Sequence, residues 1–275
     1  MRSKSWPTVA THAVLLAYTV VALFPVVLII INSFKDRLSI FSAPLALPFG
    51  DTFTLDGYTT LGSSAHFELY FLNSLFVTAC SLILILIVSS MAAFALSEYK
   101  FRFSLLTSLY LSIGIMVPIR LGTVGILRLM VNLHLVNTLW SLILIYTAQG
   151  IPLAVFVLTT FMRQVPRDLK DAARIDGASE YRIYWLILPL VRPALGSVLA
   201  ISMLPIWNDL WFPLILAPGE ATKTLILGAQ TFLGEFANDY NAVLAALTLA
   251  ILPPVFLYVI FSRQLIRGIT AGAVK

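Results

Sequence analysis

Six long apolar blocks, parted by polar stretches, set the pattern of this 275-residue chain. They fall at 13–31, 70–96, 105–118, 138–161, 190–216 and 241–262. A helix needs about 20 apolar residues to cross the hydrocarbon core of a bilayer. The pattern therefore predicts an all-α integral membrane protein with six transmembrane helices, in a single domain over 1–275. The first block ends in Asn32-Ser33-Phe34-Lys35, not in the small residues of a cleavage site, so it reads as an uncleaved span. The second is free of Pro and Gly. The third meets Pro118, and an amphipathic stretch with Arg120, Arg128 and His134 follows, suited to the membrane interface. Asn137 is placed to cap the fourth span, which Pro152 is expected to kink. Pro193, Pro205 and Pro213 interrupt the fifth span, and Pro253-Pro254 the sixth. Each break frees backbone carbonyls that need protein or water around them.

The densest charge lies in the loop 166–189 and its flank, PRDLKDAARIDGASEYRIYWLILPLVRP, with eight charged residues between 167 and 182. Pro166 suits the first turn of a helix, where its missing N–H costs nothing. Asp168 favours the positive end of the same helix. Leu169, Ala172, Ala173 and Asp176 recur at helical spacing and share one face. The two alanines make that face thin, so another surface could approach closely. Gly177 fits the left-handed position that ends a helix. Ser179 is placed to cap a second helix running into 184–188.

Composition agrees with the pattern: only 11% of residues are charged, against about 25% in a soluble domain. One cysteine, Cys80, excludes a disulfide within the chain and any cysteine-based zinc site, and reads as apolar packing. The net charge of +5 is no nucleic-acid signal, because the cations gather in short loops. Thirteen of the eighteen lie on the side of the termini: Arg2, Lys4, Lys100, Arg102, Arg163, Arg167, Lys170, Arg174, Arg182, Arg192, Arg263, Arg267 and Lys275. Lys35, Arg37, Arg120, Arg128 and Lys223 lie on the other. The positive-inside rule then places both termini and the 166–189 loop in the cytoplasm.

No catalytic site is expected. The stretch 219–224, GEATKT, lacks the second glycine and the Gly-Lys pair of a phosphate-binding loop, so no ATP hydrolysis is expected by that route. His12, His66 and His134 are scattered without metal-ligand spacing.

Asp171-Ala172-Ala173, Gly177 and then Ile187-Leu188-Pro189 resemble the EAA loop of permease subunits of bacterial ABC importers. Asp171 stands where that family usually has Glu, and the Gly-to-Pro spacing is one residue shorter. The segments 207–211, WNDLW, and 267–275, RGITAGAVK, are similar to the carbohydrate branch, the maltose-type inner-membrane permeases. The resemblance extends over nearly the whole chain. It implies a multi-pass subunit of a bacterial inner membrane that forms part of a sugar path. It implies a second homologous permease, two ATPase subunits that bind ATP and Mg, and an extracytoplasmic sugar-binding protein. The chain itself would hold no cofactor. Leu169, Asp171, Ala172, Ala173, Asp176 and Gly177 would form the ATPase-coupling helix.

Asn208 and Asp209 stand inside an apolar run between Trp207 and Trp211. An ionisable group at membrane depth is costly and faces a cavity or a partner. Two readings stay open. These four residues line the substrate path, where polar groups bind hydroxyls and aromatic faces stack on sugar rings. Alternatively, the tryptophans sit at the headgroup level, where Trp is enriched anyway. The rival to the importer reading is a stand-alone ion-coupled carrier with Asp209 as its coupling group.

Overall fold

The computed structural model describes residues 5–63, 66–232 and 239–273, with side chains from 9 to 261 within those ranges. Arg2, Lys4, Glu235, Lys275 and the side chains of Arg263, Arg267 and the rest of the C-terminal tail lie outside the described residues. The fold is 80% helical, and among the described residues there is no strand.

The helices are α1 (Ser5–Asn32), α2 (Arg37–Ser42), α3 (Asp56–Ser63), α4 (Phe67–Glu98), α5 (Ser104–Met116), α6 (Thr123–Asn132) and α7 (Leu139–Gln164). They continue as α8 (Arg167–Ile175), α9 (Glu180–Ile187), α10 (Arg192–Trp207), α11 (Trp211–Leu216), α12 (Leu225–Ala229) and α13 (Tyr240–Ala273). Four are long and apolar enough to cross a membrane, and six spans result if each of two bent pairs counts as one. Both bends have local causes. Pro118 cannot donate to the ladder, so α5 stops at Met116 and the chain turns by 90° into 119–132. Pro189 and Pro193 frame the 73° bend between α9 and α10.

Two compact units divide the chain: Met1–Glu68 with Gly228–Leu252, and Leu69–Leu227 with Pro253–Lys275. In the first, none of the apolar window of α1 is buried, so lipid or a partner must cover it. A clasp closes the loop after α1. Lys35, 1% exposed, donates to Asn32 Oδ1 at 3.0 Å and to the carbonyls of Ala43 and Pro44 at 2.9 and 3.1 Å. Asp36 caps α2, accepting from the backbone N–H of Leu38 and Ser39. Gly57 permits close packing, because an added Cβ would meet the Asn241 carbonyl oxygen at 2.3 Å.

In the second unit, α7 is the buried axis and packs against α5, α10 and α11. Leu142, Ile143 and Leu158 are fully buried along it. Pro152 lies within α7, which runs uninterrupted. The segment 220–225 is strapped onto the start of α4. Tyr70 donates to Glu220, Asn73 Nδ2 donates to the carbonyls of Ala221 and Lys223, and Ser74 Oγ accepts from the N–H of Leu225. Asn137 does not cap α7; Thr138 stands at that position. Asn137 instead takes a left-handed backbone, φ +61°. Its Oδ1 accepts from Gly219 N–H and Thr222 Oγ, joining the two ends of this turn.

Candidate functional site

The charged loop forms the two-helix turn expected of it. Pro166 is the N-cap of α8, and Gly177 follows its C-cap with φ +76°. Gly177 N–H bonds the Arg174 carbonyl at 3.0 Å, and Ala178 N–H bonds the Ala173 carbonyl at 2.9 Å. This doubly bonded left-handed ending absorbs two of the last free carbonyls of the helix. Ser179 stands at the N-cap of α9 in extended backbone, but its side chain makes no capping bond.

Three faces divide α8. Leu169, Ala172, Ala173 and Asp176 share one, and all four keep solvent access. Asp171 and Ile175 share the next, with Ile175 86% exposed. Lys170 and Arg174 share the third, which turns towards Glu98, with Lys170 buried and Arg174 still open to solvent. The Lys170 side chain is only 4% exposed and pairs with Glu98 at the end of α4. Arg174 Nη2 reaches the other oxygen of Glu98 at 3.1 Å, and Nη1 reaches Asp171 at 3.0 Å. Its Nε and Nη2 form a fork on Glu180, at 3.0 and 3.3 Å. Tyr99 donates to Glu180 at 2.7 Å. The bonds from Arg174, then Tyr99, hold the Glu180 carboxyl below the usual range. Burial, then Glu180, pushes the Tyr99 phenol up to about 12. One guanidinium thus ties α8, α9 and the end of α4 together.

The second polar locus is a helix break at 208–210, between α10 and α11. Trp207 is 2% exposed and packs edge-on against Phe71, 6.0 Å between ring centres. Asp209 is the keystone. Its carboxylate accepts from Tyr146 at 2.9 Å and from the N–H groups of Trp211 and Phe212 at 3.3 and 3.1 Å. Arg120 adds an ion pair at 3.5 Å. The carboxylate so supplies the acceptors that the first turn of α11 lacks. Asn208 is exposed, and Trp211 is 42% exposed with Arg120 over its ring at 5.9 Å. A cavity of about 260 Å³ opens here, walled by Arg120, Tyr146, Gln149, Asn208 and Asp209. Sequence reading singled out neither Tyr146 nor Gln149. Their signal was available: a polar pair at i, i+3 on one face of a mostly apolar helix.

The profile of the family described as "Binding-protein-dependent transport system inner membrane component" matches residues 85–271. The chain belongs to this family of ABC transporter permeases. The match takes in both polar loci. A putative ABC transporter permease of Caldicellulosiruptor sp. (strain Rt8B.4) is 35% identical to this permease over 95% of the chain and 94% of the relative. The diacetylchitobiose uptake system permease NgcG of Streptomyces coelicolor is 30% identical over 96% and 88%. The arabinooligosaccharides transport system permease AraQ of Halalkalibacterium halodurans is 33% identical over 93% and 92%. A chain in the crystal structure of a bacterial ABC transporter that imports the acidic polysaccharide alginate superposes with a TM-score of 0.79, covering 96% of this permease and 98% of that chain. At 20% identity that likeness is one of fold.

Proposed function

We propose that this permease is one of two homologous membrane subunits of an importer for a sugar or sugar derivative. Its α8 is the coupling helix for a separate ATPase. The observation that carries the reading is the build of α8. It presents Leu169, Ala172, Ala173 and Ile175 outward while its opposite face is bolted to Glu98. A helix that must be pushed by a partner needs both an exposed face to receive the push and a rigid root to pass it on. The oligosaccharide relatives support the substrate class. The uneven distribution of lysine and arginine supports cytoplasmic termini and a cytoplasmic α8. ATP and Mg would be bound by the ATPase subunits, and substrate would be delivered by an extracytoplasmic binding protein.

Of the four residues read as a substrate path, Asn208 and Trp211 keep solvent access, though Asn208 Nδ2 donates to the Leu204 carbonyl and Trp211 Nε1 to Thr123 Oγ1, and Gln149 joins them at the cavity wall. Asp209 and Trp207 hold the frame. Trp211→Ala is then expected to raise KM for uptake severalfold, the loss of roughly 0.5–1.5 kcal/mol of ring stacking.

The decisive experiment is a mild-detergent pull-down of the tagged chain with ATPase activity assayed on the eluate. The expected result is a copurifying ATPase and a second permease, with Gly177→Val hydrolysing ATP but importing poorly. Gly177 has open space around it, so the strain there is backbone strain of about 1–2 kcal/mol. Normal uptake by that variant would overturn the coupling role of α8. A folded lone chain without ATPase would reopen the ion-coupled carrier and Asp209.

A further inference from the structure

We propose that the second unit carries a site for an anionic phospholipid between the start of α5 and the end of α7. Two adjoining cavities form it. The first, of about 570 Å³, is walled by Lys100, Arg163, Arg167 and Lys170. The one carboxylate in that wall, Glu98, is already engaged by Lys170 and Arg174. Lys100 and Arg167 have no ion pair among the described residues, and Arg163 makes a single long bond, 3.4 Å, to the Leu96 carbonyl. Three cations therefore face one space without a counter-ion. Ser104 and Ser108 lie in the same wall.

The second cavity, of about 190 Å³, is a groove whose surface is more apolar than polar, lined by Leu111, Pro152, Val155 and Phe156 together with Ser112, Thr159 and Thr160. At its Pro152 end α5 and α7 are in tight contact, for a Cβ on Gly114 would stand 3.0 Å from Pro152 Cγ. Leu96, Ser108 and Arg163 line both cavities, so the basic cavity adjoins the more apolar groove. Inorganic phosphate would satisfy the first cavity and leave the groove empty. A zwitterionic lipid would fill the groove and leave the cations uncompensated. A lipid with a net negative headgroup satisfies both, with its phosphate at the basic rim and the start of one acyl chain in the groove. Arg167 and Lys170 belong to α8, so the site borders the proposed coupling helix, but it uses none of the outward residues Leu169, Ala172, Ala173 and Ile175.

The test is native mass spectrometry of the intact transporter, reconstituted in nanodiscs of equimolar phosphatidylglycerol and phosphatidylethanolamine and then released. The wild type is expected to retain phosphatidylglycerol preferentially. Lys100→Ala with Arg167→Ala should lower that retention about tenfold or more, from two lost headgroup attractions. Leu111→Trp, which fills the groove and leaves every charge in place, should also displace the lipid, and it covers the case in which the double variant fails to assemble. Equal retention of both lipids, or unchanged phosphatidylglycerol in both variants, would overturn the site. So would a complex that retains no lipid, because a partner subunit would then cover this face.

Discussion

Two lysines are buried among the described residues, and they are held in opposite ways. Lys35 gives its three protons to neutral oxygens that lie three to nine residues away in the chain. Lys170 meets a carboxylate 72 residues away. The first arrangement is a local clasp: the side chain joins the last residue of α1 to the C-cap of α2 and reaches no distant segment, and only the Lys35 backbone carbonyl goes further, accepting from Asn241 Nδ2. The second ties a surface helix to the end of a membrane span. A charge satisfied by neighbours can only order its own segment, while a charge satisfied at long range makes two segments move as one. The inward face of α8 therefore belongs to its mechanical root, and the outward face alone is left for docking.

The largest expected effect tests that root. Glu98→Ala leaves Lys170 buried without its partner and should destabilise the permease by about 3–5 kcal/mol, read as a loss of thermal stability in detergent. Pairing it with Lys170→Met replaces two buried charges by apolar groups, which is often neutral for folding. Stability should then return while uptake per ATP stays low. If uptake returned with stability, the pair would be structural only and the contrast with Lys35 would fail.

A smaller effect is expected at the clasp. Lys35→Met strands Asn32 Oδ1 and the Ala43 carbonyl, while the Pro44 carbonyl keeps its bond from Asn32 Nδ2, and should cost about 1–3 kcal/mol, with uptake per ATP unchanged. Its pH dependence has a definite sign. Burial lowers the Lys35 pKa from 10.5. The unfolded chain then binds the proton more tightly, so the folded loop gains stability as pH rises from the lowered value towards 10.5. The methionine variant should lack that rise in melting temperature across the alkaline range.

The smallest effect concerns the outer end of the Arg174 network. The Tyr99 phenol is pushed up to about 12, so the stability it lends is fully present below pH 10 and is lost as pH climbs from there through about 12. Glu180→Gln should move the midpoint part of the way back towards 10, because burial, the larger cause, persists. The ultraviolet difference titration against Tyr99→Phe reads it, and an unmoved midpoint would detach Tyr99 from the network.

Much of the fold was legible because its signals are local. Length and hydropathy place the long helices, and Gly177 marks its own left-handed turn. Pro118 likewise marks the end of α5. What stayed hidden depends on partners distant in sequence. Lys170 reads as one more solvated charge until Glu98 is brought to it. Asn137 carries the composition of a helix cap, yet its side chain serves a turn more than 80 residues away. At 208–210 the residue types announced a special place, but only the geometry separates Asp209, committed to four donors, from Asn208 and Trp211, which remain accessible.

The strap at 220–225 has a consequence in time. Asn73 and Ser74 are nearly inaccessible in the finished protein, yet their partners lie about 150 residues further along. A ribosome adds roughly 5–20 residues per second, so α4 must wait on the order of 10 s before those partners exist. During that interval a carboxamide and a hydroxyl near the end of a membrane helix are without their eventual bonds. The nascent chain must keep them near water or lend them temporary partners until the strap arrives.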